Sequence, residues 1–240
     1  GQKVWSSWAH MADYGFLYAR TDPNVAKHKG LSMFIIDKKL PGVTVRPLTN
    51  LAGFVLHNEV FMDNVRIPRE YLLGEKNKGF YQLLKGLEGD RFWARFVKPP
   101  YCKSLLDELI QWVKEHPGPD GKPMAKDPIV RNKLADTAVE IEVCRAMFWH
   151  TAWMMEKHMN PIYESSVCKQ LADELGQKLF NTGMQIYSHY CLLKQGDEMA
   201  PLDGLMQQSY LMARGHTLAG GSSEILRNTI ATIGLGLPRG

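Results

Sequence analysis

Up to about residue 70 the apolar positions come in short, strand-length runs, at 3–8, 14–20, 31–36, 43–46 and 55–61. Turn formers separate them: Asp22-Pro23-Asn24, Pro41-Gly42 and Asp63-Asn64. No helix-length periodic segment intervenes, which predicts an antiparallel sheet or barrel rather than βαβ units. From about Gly79 the period becomes helical. Phe80, Leu83, Leu84, Leu87, Ala94 and Val97 form one stripe; Leu105, Leu106, Leu109, Ile110 and Val113 form a second. Pro99-Pro100 between them should break or sharply kink the chain. A loop over 116–121 follows, and Asp127-Pro128 reads as an N-cap with proline at the first helical position, opening a helix to about residue 158. Asn160-Pro161 separates it from a long helix expected to end at Gly196, with further helices over 201–214 and after Gly221. Long helices with short links predict an antiparallel bundle. The fold class is therefore α+β: a partial antiparallel β-barrel or sheet over residues 1–71, then a helical bundle over 72–240.

Composition narrows the function classes. With 240 residues, 45% of them hydrophobic and 22% charged, the chain can bury a real core. The net charge of +4 comes from scattered cations, with no run of the kind that tracks a nucleic acid backbone. Four separated cysteines without a Cys-x-x-Cys pair argue against a zinc site or a disulfide framework and for a reducing compartment, the cytoplasm. The histidines show no metal-like grouping, and no apolar stretch is long enough to span a bilayer. Gly234-Leu235-Gly236 lacks the strand and third glycine of a dinucleotide fold, and Met147, Met154 and Met155 beside Trp153 read as bundle core. The opening Gly1-Gln2-Lys3-Val4-Trp5 reads as the inside of a folded domain, not as a signal peptide.

Four segments carry a resemblance. Gly1-Gln2-Lys3-Val4-Trp5-Ser6-Ser7 resembles the "GQK-x-W-x-T/S" strand in the middle domain of acyl-CoA dehydrogenases. Phe61-Met62-Asp63-Asn64-Val65-Arg66-Ile67-Pro68, with Leu73-Gly74 and Gly79-Phe80, is similar to the family's passage from β-domain to bundle. The stretch 216–228 resembles its "G-T-S-E-I-x-R-N" segment, and 234–239 its usual ending. The matches fall in order and span nearly the whole chain. The resemblance implies a preceding helical domain and opening β-strands, so that the chain corresponds to the C-terminal part of such an enzyme. It also implies FAD as cofactor, an acyl-CoA substrate, electron-transferring flavoprotein as electron acceptor, assembly into homo- or hetero-oligomers, and a mitochondrial matrix as the alternative location.

Dehydrogenation of a thioester needs a carboxylate to take the α-proton and donors for the developing enolate oxygen. In the family the carboxylate occupies one of two places. At the commoner place this chain has Gly220, which carries no acid. At the other, on the first bundle helix, the resemblance selects Asp90 as the base, with Arg91 and Glu88 as substrate-side neighbours. By helical spacing Asp90 shares the stripe of Leu83, Leu87, Ala94 and Val97, and Glu88 does not. A carboxylate held against apolar surface gains base strength. From the residues alone, Asp90 and Arg91 read first as a structural ion pair at a helix crossing. The family usually has the longer Glu at this position. The resemblance places Trp5 and Ser7 beside the flavin ring, Ser222 and Glu224 in contact with it, and the Gly220 N–H on the thioester carbonyl. Taken alone, Trp5 reads as a core tryptophan and Gly220-Gly221-Ser222 as a turn into an N-cap.

Two departures stand out. The family's Arg-x-x-Phe-Gly, which grips the flavin pyrophosphate of a neighbouring subunit, is Pro117-Gly118-Pro119-Asp120-Gly121 here. Its Gln-x-x-Gly-Gly-x-Gly is Gln185-Ile186-Tyr187-Ser188-His189-Tyr190-Cys191, without the glycines that admit the adenine. In heteromeric members a partner chain can cover such losses. Two rival expectations therefore accompany the dehydrogenase reading: a non-catalytic subunit of a heteromeric enzyme, and an acyl-CoA oxidase.

Overall fold

A computed structural model describes residues 1–118 and 121–239 of the chain, without the side chains of residues 85 and 87–91. Six strands come first: β1 (Gln2–Ser7), β2 (Tyr14–Arg20), β3 (Leu31–Asp37), β4 (Val43–Thr49), β5 (Val55–Met62) and the short β6 (Leu72–Leu73). Six α-helices follow: α1 (Gly79–Phe96), α2 (Lys98–Glu115), α3 (Pro128–Glu156), α4 (Ile162–Tyr187), α5 (Leu205–His216) and α6 (Ser223–Thr229). The class is α+β, as the change of period predicts. Contacts divide the chain into two units, Gly1–Leu87 and Glu88–Gly240.

In the first unit the strands form two antiparallel sheets, ordered β1-β5-β4 and β2-β3-β6, and do not close into a barrel. Residues of both sheets line a cavity of 310 Å³. Two fully buried polar side chains, Asn58 and Ser32, are paired. The Asn58 Nδ2 donates to the Ser6 carbonyl at 2.9 Å, and its Oδ1 meets His10 Nδ1 at 3.1 Å. Ser32, also fully buried, accepts from the Asn77 N–H at 2.7 Å. That bond seats the start of α1 on β3, and Gly79 is what lets the two backbones approach. A Cβ there would lie 2.6 Å from the Ser32 carbonyl carbon.

In the second unit, side-chain pairs between helices set the directions. Thr151 meets Cys168 at 3.2 Å, Glu140 pairs with Lys178, and Lys133 with Gln185, so α3 and α4 run antiparallel. Lys169 reaches the His216 carbonyl and Gln177 the Ala213 carbonyl, so α5 is antiparallel to α4. The second apolar stripe is the core face of α2: Leu105, Leu106, Leu109 and Val113 are buried. Pro99 and Pro100 fall in the first turn of α2, where their missing N–H groups cost nothing, and the break is at Val97. Asp127 caps α3, accepting from Ile129 N at 2.8 Å.

Two expectations need correction. α4 ends at Tyr187, not Gly196. Tyr187 is buried against Trp112, and Ser188 takes φ +51°, which turns the chain out of the helix into a 3₁₀ turn over Ser188–Leu192. The stripe drawn along α1 is not its core face in the second unit. Ala94 and Val97 are exposed, whereas Phe92 is fully buried, with Phe96 packed beside it. Phe92 contacts the rings of Trp93, Phe96 and Phe148 at centroid distances of 5.0, 5.6 and 5.3 Å. The larger area of the aromatic rings outweighs the aliphatic pattern. Phe92→Ala is expected to destabilise the folded protein by about 3–5 kcal/mol in denaturant titration.

Candidate functional site

The chain leaves α5 at His216 and turns through residues 217–222 into α6. Leu218 and Ala219 donate to the Gly215 carbonyl at 3.1 and 3.0 Å, and Ser223 N returns to the Thr217 carbonyl at 2.9 Å. Gly220 and Gly221 then take φ +72° and +105°, left-handed values that only glycine adopts without strain. The Gly220 N–H has no acceptor among the described residues. A tight turn with its ends tied down thus presents a fixed, unpaired amide. α4 supports it from behind. Gln177 Nε2 bonds the Ala213 carbonyl at 2.9 Å and Thr217 Oγ1 at 3.2 Å, and Lys169 Nζ bonds the His216 carbonyl at 3.3 Å.

Ser222 is the N-cap of α6, its Oγ accepting from Ile225 N at 3.4 Å. Glu224 sits in the first turn. Its own backbone N–H, then the Ser222 hydroxyl, hold its carboxyl below the ordinary range. Gly220, Ser222 and Glu224 therefore form one group.

Trp5 and Ser7 form another. Val4 and Trp5 together oppose Glu59, a β-bulge that drives Trp5 to φ +64° and leaves its side chain 68% exposed. Trp5 is thus not a core tryptophan. The His57 ring stands edge-on to it at 5.9 Å, and His57 pairs with Ser7 across the sheet. An exposed indole face beside a hydroxyl suits a flat aromatic ring such as isoalloxazine, and an unpaired amide suits a carbonyl oxygen. His57 has no signal of its own in the sequence and joins the group only through strand register.

Asp90, Glu88 and Arg91 lie in the backbone span of α1, but their side chains fall outside the described residues. Neighbours of position 90 by helical spacing are described: Trp93 and Ala94, and Val97 just past the end of α1, are all exposed.

The divergent segment after Gln185 is built differently from a glycine-rich strip. Tyr187, Ser188, His189 and Tyr190 line a cavity of 930 Å³ with Trp112, His116, Pro117 and Lys122. His116 stacks on Trp112 at 3.6 Å and 7°, and the Trp112 indole N–H is buried without a partner. Pro119 and Asp120, within the segment that replaces Arg-x-x-Phe-Gly, lie outside the described residues. Trp5 and Ser7 suit the ring end of a flavin; Ser188, His189 and Cys191 stand at the positions where the family's segment has glycines for the adenine.

Burial, then the nearby Lys98 cation, push the His216 imidazole down to about 4; Arg95 and Lys169 act the same way, and Asp173 opposes. The ring is neutral at neutral pH, with Nδ1 buried and unbonded. The unfolded chain takes up this proton near 6.5 and the folded one only near 4, so folding stability is lost as pH falls through that window. His216→Gln is expected to flatten the fall of Tm over the same window in a calorimetric pH series.

Comparison with known proteins places the chain among known families. Residues 1–65 match the model of the acyl-CoA dehydrogenase middle domain, and 77–235 that of the acyl-CoA dehydrogenase C-terminal domain. Acyl-CoA dehydrogenase FadE34 of Mycobacterium tuberculosis is 30% identical over 239 residues, covering all of this chain and 31% of that protein. The steroid ACAD Tcur3481-Tcur3483 superposes with a TM-score of 0.93 at 27% identity, over 100% of this chain and 60% of that one. The ChsE4-ChsE5 complex of Mycobacterium tuberculosis gives 0.89 at 27% identity, over 100% and 61%. The chain thus spans between about a third and three-fifths of the relatives it matches.

Proposed function

Because this chain belongs to the acyl-CoA dehydrogenase family, we propose that it supplies the base and the carbonyl polariser for α,β-dehydrogenation of an acyl-CoA thioester. The reading rests above all on the unpaired Gly220 N–H, held in a turn that only glycines can make. Donated to the thioester oxygen, it draws charge from the α carbon and lowers the acidity barrier there. A preorganised donor of this kind acts on charge as it develops and needs no reorganisation. Asp90, on α1, takes the α-proton; Arg91 and Glu88 flank the substrate. Trp5 and Ser7 would hold the flavin ring, and Ser222 and Glu224 are the second unit's candidates for holding the same group. FAD, when bound, would supply the acceptor for the hydride of the β carbon, with electron-transferring flavoprotein as the onward electron acceptor. The bacterial relatives and the four free cysteines favour the cytoplasm. Among the described residues no helix is long and apolar enough to cross a membrane.

A second reading has its own support. Ser188, His189 and Cys191 stand in place of the glycines that admit adenine, and the ChsE4-ChsE5 relative is a complex. The chain then works beside a homologous partner that completes the flavin site, or serves it without catalysing. Co-purification separates the readings. A yellow assembly that bleaches anaerobically on adding acyl-CoA, and loses bleaching when Gly220 or Asp90 of this chain is changed, supports catalysis here. A colourless chain, or one whose changes leave the partner's bleaching intact, refutes it. Peroxide release in air would assign an oxidase instead.

A further inference from the structure

Three charged side chains converge between α1, α4 and the carbonyl end of α5, and the chemistry above uses none of them. Asp173 and Lys169 are each 1% exposed. The Asp173 carboxylate accepts at Oδ1 from Arg95 Nε at 2.7 Å and at Oδ2 from Lys169 Nζ at 2.6 Å. Lys169 Nζ also donates to the His216 carbonyl at 3.3 Å. Its Cε lies 3.4 Å from where a Cβ on Gly220 would stand, so the lysine stem backs the turn directly.

Stability alone is a poor reason for such a cluster. Desolvating the charges costs about what their attraction returns, and well-packed apolar replacements are often as stable. What the cluster does is geometric. Arg95 leaves α1 five residues after Asp90, and Lys169 supports the turn that presents the Gly220 amide. One carboxylate on α4 grips both. We propose that Asp173 is a positioning residue that keeps the proton-accepting helix and the carbonyl-polarising turn in register; this deepens the assignment of Asp90 and Gly220 and rests on it. Base and polariser act on neighbouring atoms of one thioester, so a relative slip of about 1 Å costs on the order of 10²-fold in rate.

The test uses the assembled, flavin-containing protein. Asp173→Asn would leave two cations facing a neutral amide and lose stability for that reason alone. The decisive variant is the apolar triple Arg95→Met, Lys169→Met and Asp173→Leu, with Asp173→Glu as a second variant that keeps every charge but moves the carboxylate. Folding is followed by Tm, turnover by kcat and KM separately, and the 217–222 amides by hydrogen exchange. The triple variant is expected to fold with Tm close to the parent, kcat lowered about 10²-fold, KM nearly unchanged and faster exchange in the turn. If it does not fold, Asp173→Glu is expected to fold and to lose kcat about tenfold, again with faster exchange. A folded variant with parental kcat and parental exchange overturns the proposal. Asp90→Asn in parallel separates the two failures. If that change leaves bleaching intact, the base assignment falls and this inference with it. If it stops bleaching while both network variants behave as the parent, this inference alone falls.

Discussion

Asp90→Asn is expected to slow acyl-CoA bleaching of the bound flavin by about 10³-fold while leaving flavin content unchanged. The amide matches the carboxylate in shape and cannot accept the α-proton, so the loss reports the proton transfer and not the packing of α1. We place the base at position 90 because, of the two places the family resemblance offers, the other holds Gly220, without an acid; Ala94 and Val97, which share the stripe of position 90, are exposed. Stopped-flow bleaching under anaerobic conditions reads the effect. A rate within a fewfold of the parent would place the base elsewhere.

Gly220→Ala should cost the second-largest factor. At φ +72° an alanine carries roughly 1–2 kcal/mol of backbone strain. The added methyl would meet only Lys169 Cε, at an ordinary contact distance of 3.4 Å, so crowding is not the cause. The turn relieves the strain by rotating the 219–220 peptide, which turns the amide away from the thioester oxygen. Losing one such donor costs about 10²-fold or more in kcat. The expected signature is a fall in kcat with KM little moved, because the bond strengthens only as the enolate forms. Gly53→Ala, at φ +86° in an open turn of the first unit, carries similar strain and should leave kcat unchanged.

Much of the architecture is legible in the residues. Strand-length runs with Asp-Pro-Asn and Pro-Gly between them place β1 to β5, and Asp127-Pro128 places the start of α3 through a cap that the structure contains. The end of α4 is not legible, because Ser188 leaves the helix where Tyr187 finds a pocket against Trp112, a contact 75 residues away in sequence. The facing of α1 fails for a related reason: both Leu83-Ala94-Val97 and Phe92-Phe96 are plausible stripes, and tertiary contact with Phe148 chooses between them. The candidate site divides in the same way. Gly220-Gly221-Ser222 announces a turn and a cap from composition alone, and both are present. Trp5 does not announce its exposure, since the bulge opposite Glu59 depends on pairing with β5. Lys169 and Asp173, four apart, have the spacing of a surface ion pair. Only the packing of α1 and α5 on α4 reveals that they are buried.

The most direct measurement is a map of the assembled protein holding flavin and an unreactive acyl-CoA analogue. The thioester oxygen is expected on the Gly220 N–H, with an Asp90 carboxyl oxygen about 3–3.5 Å from the α carbon. An Asp90 side chain locked into an ion pair with Arg91 and turned from the thioester would contradict it, as would a thioester seated wholly against another chain.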